Sequence, residues 1–437
     1  MRKSGLTGDE AYILSKHGKT TEDLGPLKKE ISLIKEDLSN KITKFYASNQ
    51  GETHITDSDN GKIQDMMLYG KSSQDGTPSP ENPVEIKSVV NPVIKICGKN
   101  LFDSKKFPII LNRAIDTNTG NLYESLSGNY CATEKYIPFP YSGKKISFNA
   151  SMSLCAYDKD YKFISTVNKN NGQVPTGTMY VRFDIKTGDK DKAQIELSEN
   201  TTTYEPYKEQ SIQLPITLNA IPVSSGGNVT INGQQYIADY VDVERGKIVK
   251  CVEKYRISSG LSWIYEPLEN DRFGTYGLNI NINPNFGGNT LFTHYQNKPN
   301  GVGGFIAPGN IRLHNFQGFT DVTNFKEWLD KNESYAYFVK NTFEETDLTT
   351  EEITAFKELA TYYPVTNISV NSEQLDGYAV FNYPISMQNG WNYVKQQLND
   401  NRDYIYDMDT KTQDIDTQAA EAYVNSEYAV ALTELEV

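Results

Sequence analysis

The sequence is poor in the residues that most site chemistry needs. Its 437 residues include four histidines, four cysteines and three tryptophans. His17, His54, His294 and His314 fall in no HExxH or comparable ligand spacing, so a zinc centre has no signature here. Cys97, Cys131, Cys155 and Cys251 form no CxxC pair and no dense disulfide framework. They read as buried free thiols of a chain made in a reducing compartment. No GxSxG elbow occurs, and Gly301-Val302-Gly303-Gly304 lacks the spaced third glycine of a dinucleotide fingerprint. Asp407, Asp409 and Lys411 begin like a calcium loop, but Thr412 stands where that loop needs glycine and Gln418 where it needs glutamate. The expectation is a chain with no cofactor, no metal site and no catalytic residues. A loose surface cation near Asp414 and Asp416 is the nearest thing to an ion site.

Long apolar runs are also missing. Nothing approaches the roughly 18 residues a membrane-spanning helix needs, which argues against membrane insertion. The start, Met1-Arg2-Lys3-Ser4-Gly5-Leu6, turns polar at once and does not read as a Sec signal peptide. Basic charge is in deficit, with 43 Lys and Arg against 56 Asp and Glu and a net charge of −13. That balance opposes sequence-neutral binding to nucleic acid. Between residues 402 and 437 nine acids face two bases, so much of the acidity belongs to the C-terminal end.

What the chain has in quantity is tyrosine, 29 residues, set among Asn, Gly and alternating apolar positions. The pattern reads as mainly β in five parts. In residues 1–50, Leu24, Leu27, Ile31, Ile34, Leu38 and Phe45 repeat at three- and four-residue steps, broken at Lys41. This predicts a helical stem, a short coiled coil that serves for oligomerisation, with an amphipathic helix lying on its own domain as the alternative, and Ile at both Ile31 and Ile34 leans toward three strands. Residues 51–95 are rich in Gly and Pro turns and read as a connector with short strands such as 63–68 and 84–90. Residues 96–207 alternate with period two and predict a β-sandwich, jelly-roll-like. Residues 208–385 predict a second β-rich domain with two short helices. There Asn232-Gly233 marks a hairpin, and Thr349 to Glu352 spells a capping box. Residues 386–437 read as an acidic appendix, helical at 391–398 and 417–435 and turn-like at 403–416.

Aromatics carry the one chemical clue. Trp263 and Tyr265 alternate along an extended run and share a face, and Tyr276 and Tyr295 follow among Asn and Gly. Flat rings beside amides suit the apolar faces and hydroxyls of sugars, which makes these four the candidate glycan-binding residues. Core packing is the competing explanation for the same rings.

One stretch resembles a known family. Tyr69-Gly70-Lys71-Ser72-Ser73-Gln74-Asp75-Gly76-Thr77-Pro78-Ser79-Pro80-Glu81-Asn82-Pro83-Val84-Glu85-Ile86 is similar to a segment of minor structural, tail-fibre and baseplate proteins from phages and prophages of Firmicutes. Further similarities follow in the same order. Asn100-Leu101-Phe102 and Thr203-Tyr204-Glu205-Pro206-Tyr207 bracket a module like a carbohydrate-binding domain. The stretches 221–228, 232–236 and 242–247 resemble a recurrent hairpin block, and 348–352 with 359–368 resemble a closing β/α segment. The resemblance covers roughly residues 61 to 381. It implies a homotrimeric component of the distal tail of a virion, synthesised in the host bacterial cytoplasm. Its partners are then other tail or baseplate proteins and a host cell-wall polysaccharide bound through shallow multivalent sites. Two other readings stay open, a purely structural adaptor within the tail and a polysaccharide depolymerase.

Overall fold

The computed structural model describes residues 44–435, apart from 52, 57, 170–171, 267–271, 276, 279, 287, 299–302 and 315–318. Leu24, Leu27, Ile31, Ile34 and Leu38 therefore lie outside the described residues. Phe45 does not, and it corrects the expected extent of the stem. It sits in a β-strand, Lys44–Gln50, that takes one edge of a seven-stranded sheet beside strand Tyr378–Ser386. Adjacent aromatics at Phe45 and Tyr46 favour a pleated strand, and pairing supplies the backbone partners the neighbouring strand needs.

The molecule is mainly β, with a curled half-barrel sheet and a C-terminal helix. Residues Ser48–Pro384 form one compact unit. The half-barrel runs, from edge to edge, through Lys44–Gln50, Tyr378–Ser386, Gln64–Tyr69, Tyr240–Asp242, Lys247–Ile257, Ser334–Asp347 and Thr290–Phe292. Its backbone is the pair Lys247–Ile257 and Ser334–Asp347, antiparallel with a register shift between Lys250 and Val252. Asp239 fills that bulge. Its fully buried carboxylate accepts the amide protons of Cys251 and Val252 at 2.7 and 2.9 Å and that of Asn219 at 3.0 Å, with Lys250 Nζ at 3.3 Å. The bulge would otherwise leave the amides of Cys251 and Val252 unpaired in the core.

Local signals behave as their chemistry dictates. Asn232 and Gly233 have φ of 49° and 82°, which closes a two-residue turn between strands Val229–Ile231 and Gln234–Ala238. Helix α1, Val322–Lys331, starts at Asp321, whose side chain accepts from Asn324 N, and buries Phe325 and Leu329 on one face. Helix α2, Thr350–Glu358, carries the capping box, with Thr349 and Glu352 bonded reciprocally.

Strand pairing revises two expected boundaries. The stretch 51–95 is no free connector. Strand Gln64–Tyr69 pairs with Tyr240–Asp242 and Tyr378–Ser386, while Val93–Cys97 pairs with Glu209–Gln213 and Val365–Asn371. The conspicuous residues of 69–86 act as locks for this pairing. Gly70 passes so close to Leu218 and Asn219 that a Cβ would meet their backbone at 2.7 Å. Ser72 Oγ accepts from Ala220 N at 2.9 Å, and Gln74 Nε2 donates to the carbonyls of Val84 and Phe292 at 3.0 and 2.6 Å. Residues before and after the 98–208 segment thus build one base domain, and that segment is an insertion between two neighbouring strands.

The inserted module has its own core. A six-stranded sheet contributes Leu154, Val181, Phe183 and Ile185, and a three-stranded sheet contributes Ile146, Phe148 and Ile195, to one buried cluster. The C-terminal part is a single helix, α3, Met387–Leu435, 49 residues long. This corrects the turn-like reading of 403–416, because Asp and Thr spaced along a helix surface are compatible with the helical ladder when their side chains face outward. Among the described residues no helix is long and apolar enough to cross a membrane.

Candidate functional site

Two of the four expected glycan residues are enclosed by the base domain. Trp263 lies in strand Trp263–Glu266, stands edge-on to Phe325 at 4.8 Å and donates Nε1–H to Ser258 O at 2.9 Å. It is buried with Phe273, Ile311, Leu313 and Leu329. Tyr295 is buried in the same cluster, and burial raises its phenol well above the ordinary value. Tyr265 packs half-buried on this core, 4.9 Å from Phe273. Trp263 and Tyr265 do share a face, but it is the face turned to the core. Tyr276 lies outside the described residues. Trp263, Tyr265 and Tyr295 therefore form no common stacking platform.

Aromatic rings and polar groups converge instead where the inserted module joins the base. The chain leaves the base after Cys97 and returns at Glu209, and these two residues are paired across the sheet. Asn100 ties the two passages together. Its Nδ2 donates to the carbonyls of Ala193 and Glu205 at 3.1 and 3.0 Å, and its Oδ1 accepts from Phe102 N and Ile195 N at 3.0 and 3.3 Å. Beside it Lys99, also buried, reaches Thr202 Oγ1 at 2.8 Å, Thr203 O at 2.5 Å and Glu205 Oε1 at 3.2 Å. Gln194 and Glu196 complete the network: Gln194 Nε2 donates to Glu196 Oε1 at 2.6 Å, and the same carboxylate receives Thr202 N at 2.8 Å. A buried polar network with these partners is rigid, because each broken bond strands a desolvated group.

On that root sits a cleft of about 870 Å³ lined by Phe102, Asp103, Lys105, Tyr204, Tyr207, Lys208, Glu209 and Tyr362, among others. Tyr207 hydrogen-bonds Glu209, and Lys95 Nζ lies 2.9 Å from the same carboxylate and 5.5 Å from the Tyr207 ring centroid. Burial would raise Glu209, yet the bonds from Tyr207 and Lys95 outweigh it and hold the carboxyl below its ordinary value. Tyr207 moves up through burial and its bond to Glu209. Lys208 stands 5.9 Å above the Tyr362 ring. The lining thus offers tyrosine faces, hydroxyls and internally paired charges, and it contains no His or Cys. Such a surface suits a neutral polyhydroxylated ligand better than a strongly charged one.

A second polar surface lies on the module itself. Tyr180, Arg182 and Asp184 alternate along strand Tyr180–Lys186, so they share the face opposite the core residues Val181, Phe183 and Ile185. Arg182 lies over the Tyr136 ring at 4.7 Å, and Tyr161, half exposed, sits 4.6 Å from Tyr180. At the Asp184 end a depression of about 760 Å³ is lined by Asp116, Thr117, Asn121, Tyr123, Tyr130, Ser153 and Asp184, among others. Burial pushes the Asp184 carboxyl up, while the Ile115 amide donates to its Oδ2 at 2.9 Å.

Asp414 and Asp416, the expected surface cation pair, stand exposed on α3. Among the described residues no three His, Cys, Asp or Glu side chains group closely enough to hold a metal ion. His294 is buried between Thr293 and Ser334, with Nδ1 2.9 and 3.1 Å from their hydroxyls, and burial lowers its pKa. The chain was compared with family models, curated proteins and solved structures, and none of the three comparisons gave a match.

Proposed function

We propose that this chain is a tail-fibre or baseplate component of a phage or prophage of Firmicutes, and that it contributes to adsorption on a host cell-surface polysaccharide. The observation that carries the reading is the make-up of the cleft. Asn100 and Phe102 come from one motif of the resemblance, Tyr204, Pro206 and Tyr207 from a second, and Tyr362 from a third, and all of them line the same cleft. Residues more than 250 positions apart in the sequence thus share one tyrosine-rich surface on a rigid root. In this reading the inserted module is a jelly-roll-like carbohydrate-binding domain, the protein works as a homotrimer on the distal tail, and the N-terminal stretch is a coiled-coil stem. Shallow sites suffice, because several copies on one support bind a repeating polymer with far higher avidity than any single site.

The test uses the full-length chain on intact host cells and on purified wall polysaccharide. Retention is expected, and Tyr204→Ala with Tyr362→Ala is expected to weaken it about tenfold, as the loss of two stacking faces would. Absence of binding to susceptible cells, with retention of other tail proteins, would favour the adaptor. Release of new reducing ends from the polymer would favour the depolymerase.

A further inference from the structure

A second pocket between the inserted module and the base lies apart from the tyrosine cleft and differs from it in charge. It encloses about 190 Å³ and is lined by Thr53, His54 and Asn367 of the base and by Lys144, Lys145 and Leu197 of the module, among others. The two openings have no described lining residue in common. Among the described residues no acid lines this pocket, although the chain holds 56 Asp and Glu against 43 Lys and Arg. Neither Lys144 nor Lys145 has an ion pair among the described residues. The volume is below the roughly 300–1,000 Å³ of sites that take drug-sized ligands, so the pocket admits one small group.

Local structure fixes each donor. Gly143, at φ 75°, closes a turn in which Lys144 N donates to Tyr141 O at 3.0 Å. Lys144 O then accepts from Val174 N at 2.9 Å, and Lys145 pairs with Gln173 across the next strand. The backbones of both lysines are held from two sides while their side chains stay exposed. On the base, His54 is paired with Asn367 across antiparallel strands. Asn367 is 3 % exposed and donates Nδ2 to Gly98 O at 2.8 Å, so its Oδ1 is the atom that meets His54 Nδ1 at 2.7 Å. An amide oxygen can only accept, and Nδ1 therefore carries the ring proton. That leaves Nε2 for a ligand, and a second proton on the ring makes it a donor. Thr53 Oγ1 is enclosed with no hydrogen-bond partner among the described residues. A ligand oxygen placed there would offset the cost of that desolvated hydroxyl.

We propose that this pocket binds a small organic anion, a phosphate or carboxylate carried on a short carbon skeleton. Lys144 and Lys145 supply the charge, Thr53 and His54 supply directed hydrogen bonds, and Tyr141 and Leu197 offer apolar surface to the skeleton. A lining of this kind repels metal cations and ammonium groups. It complements the tyrosine cleft, where the charges are already paired with one another. Because module and base both line the pocket, a bound anion ties them together and raises the stability of the native chain. The inference does not rest on the polysaccharide reading above, since a different set of residues carries it.

Isothermal titration of the full-length chain with glycerol phosphate and with glucuronate tests it, with glycerol and glucose as the uncharged counterparts. Saturable binding is expected for at least one of the two anions and for neither neutral compound. Lys144→Gln with Lys145→Gln should weaken that binding at least about tenfold, and because both side chains are exposed the variant should keep the native melting temperature. Thr53→Val should weaken binding severalfold without lowering the melting temperature of the unliganded chain, because the hydroxyl it removes has no partner to lose. Binding of neither anion overturns the proposal, as does equal binding of the neutral counterparts or native affinity in the lysine variant. The source of the anion is read from wall polysaccharide applied to the same lysine variant. Loss of retention assigns the anionic group to the polymer, and native retention with loss of the small probe assigns it to a free small molecule.

Discussion

Cys97 and Cys251 lie on strands of the base domain, and both are buried free thiols together with Cys131 and Cys155. Burial pushes Cys97 up to about 11, with Glu209 adding to the rise and Lys95 opposing it. Cys251 goes up to about 12 through burial and the Asp239 carboxylate beside it. The thiolate is the reactive form, so thiols held neutral and enclosed should be inert in the native protein. A thiol-exchange reagent at pH 8 is expected to find no cysteine until the chain is unfolded, and then to find all four. The same shifts set a sign for stability. In the folded chain these thiols keep their protons to higher pH than in the unfolded chain, so their contribution is complete below pH 9 and is lost as pH rises through about 11 and 12. Cys251→Ala should therefore flatten the alkaline fall of the urea midpoint relative to the native chain. A parallel pair of curves would place the alkaline loss elsewhere, in the buried tyrosines.

Elements in this protein are held by two different uses of glycine, and substitution separates them. Gly233 closes the hairpin at φ 82°, and a Cβ there would meet nothing within 4 Å, so Gly233→Ala costs only backbone conformation, about 1 kcal/mol. Gly70 is not in a left-handed conformation, yet a Cβ there would meet Leu218 and Asn219 backbone at 2.7 Å. Gly70→Ala is expected to cost about 3 kcal/mol, because two strands of the base must separate to admit the methyl group. Chemical denaturation of both variants checks the order, and equal costs would mean that the strands near Gly70 yield easily. Asn-Gly turns, capping boxes and period-two runs are local, and they were legible in the sequence: the 229–238 hairpin, α1, α2 and the strands near 64–69, 86–90, 145–148 and 180–186 all stand where the pattern puts them. Non-local pairing was not legible. No local feature of 51–95 says that its strands pair with segments as distant as Glu209–Gln213, Tyr240–Asp242 and Tyr378–Ser386. Nor does the alternation at Trp263 and Tyr265 say whether their common face meets water or Phe325. The continuity of α3 through 403–416 was not legible either, because the Asp and Thr residues there suggest turns when read locally.

At the scale of the whole molecule, the base domain is assembled from chain on both sides of an insertion, and this determines what can be removed. Cys97 and Glu209 are partners across adjacent antiparallel strands, so their backbones are about as close as the two ends of a hairpin. The module between them has a core of its own, in which Phe102, Phe148 and Phe183 are nearly fully buried. Of the described strand pairs around the half-barrel, none uses a strand of the module. Replacing residues 99–207 by a two-residue Asn-Gly turn should therefore leave the base folded, with the register Cys97 to Glu209 kept by the turn. The cost is the joint: Lys99, Asn100 and Glu205 go, and Tyr207 no longer covers Lys95 and Glu209. A modest loss is expected, about 1 to 2 kcal/mol, since Glu209 and Lys95 become an ordinary exposed pair. Thermal unfolding of the shortened chain should show a cooperative transition with the strand signature of the native base. Because the cleft takes its tyrosines Tyr204 and Tyr207 from the deleted segment, the polysaccharide retention proposed above is expected to be lost with it. If the shortened base fails to fold, the insertion is a structural member of the half-barrel, and the network around Asn100 is what holds the base strands together.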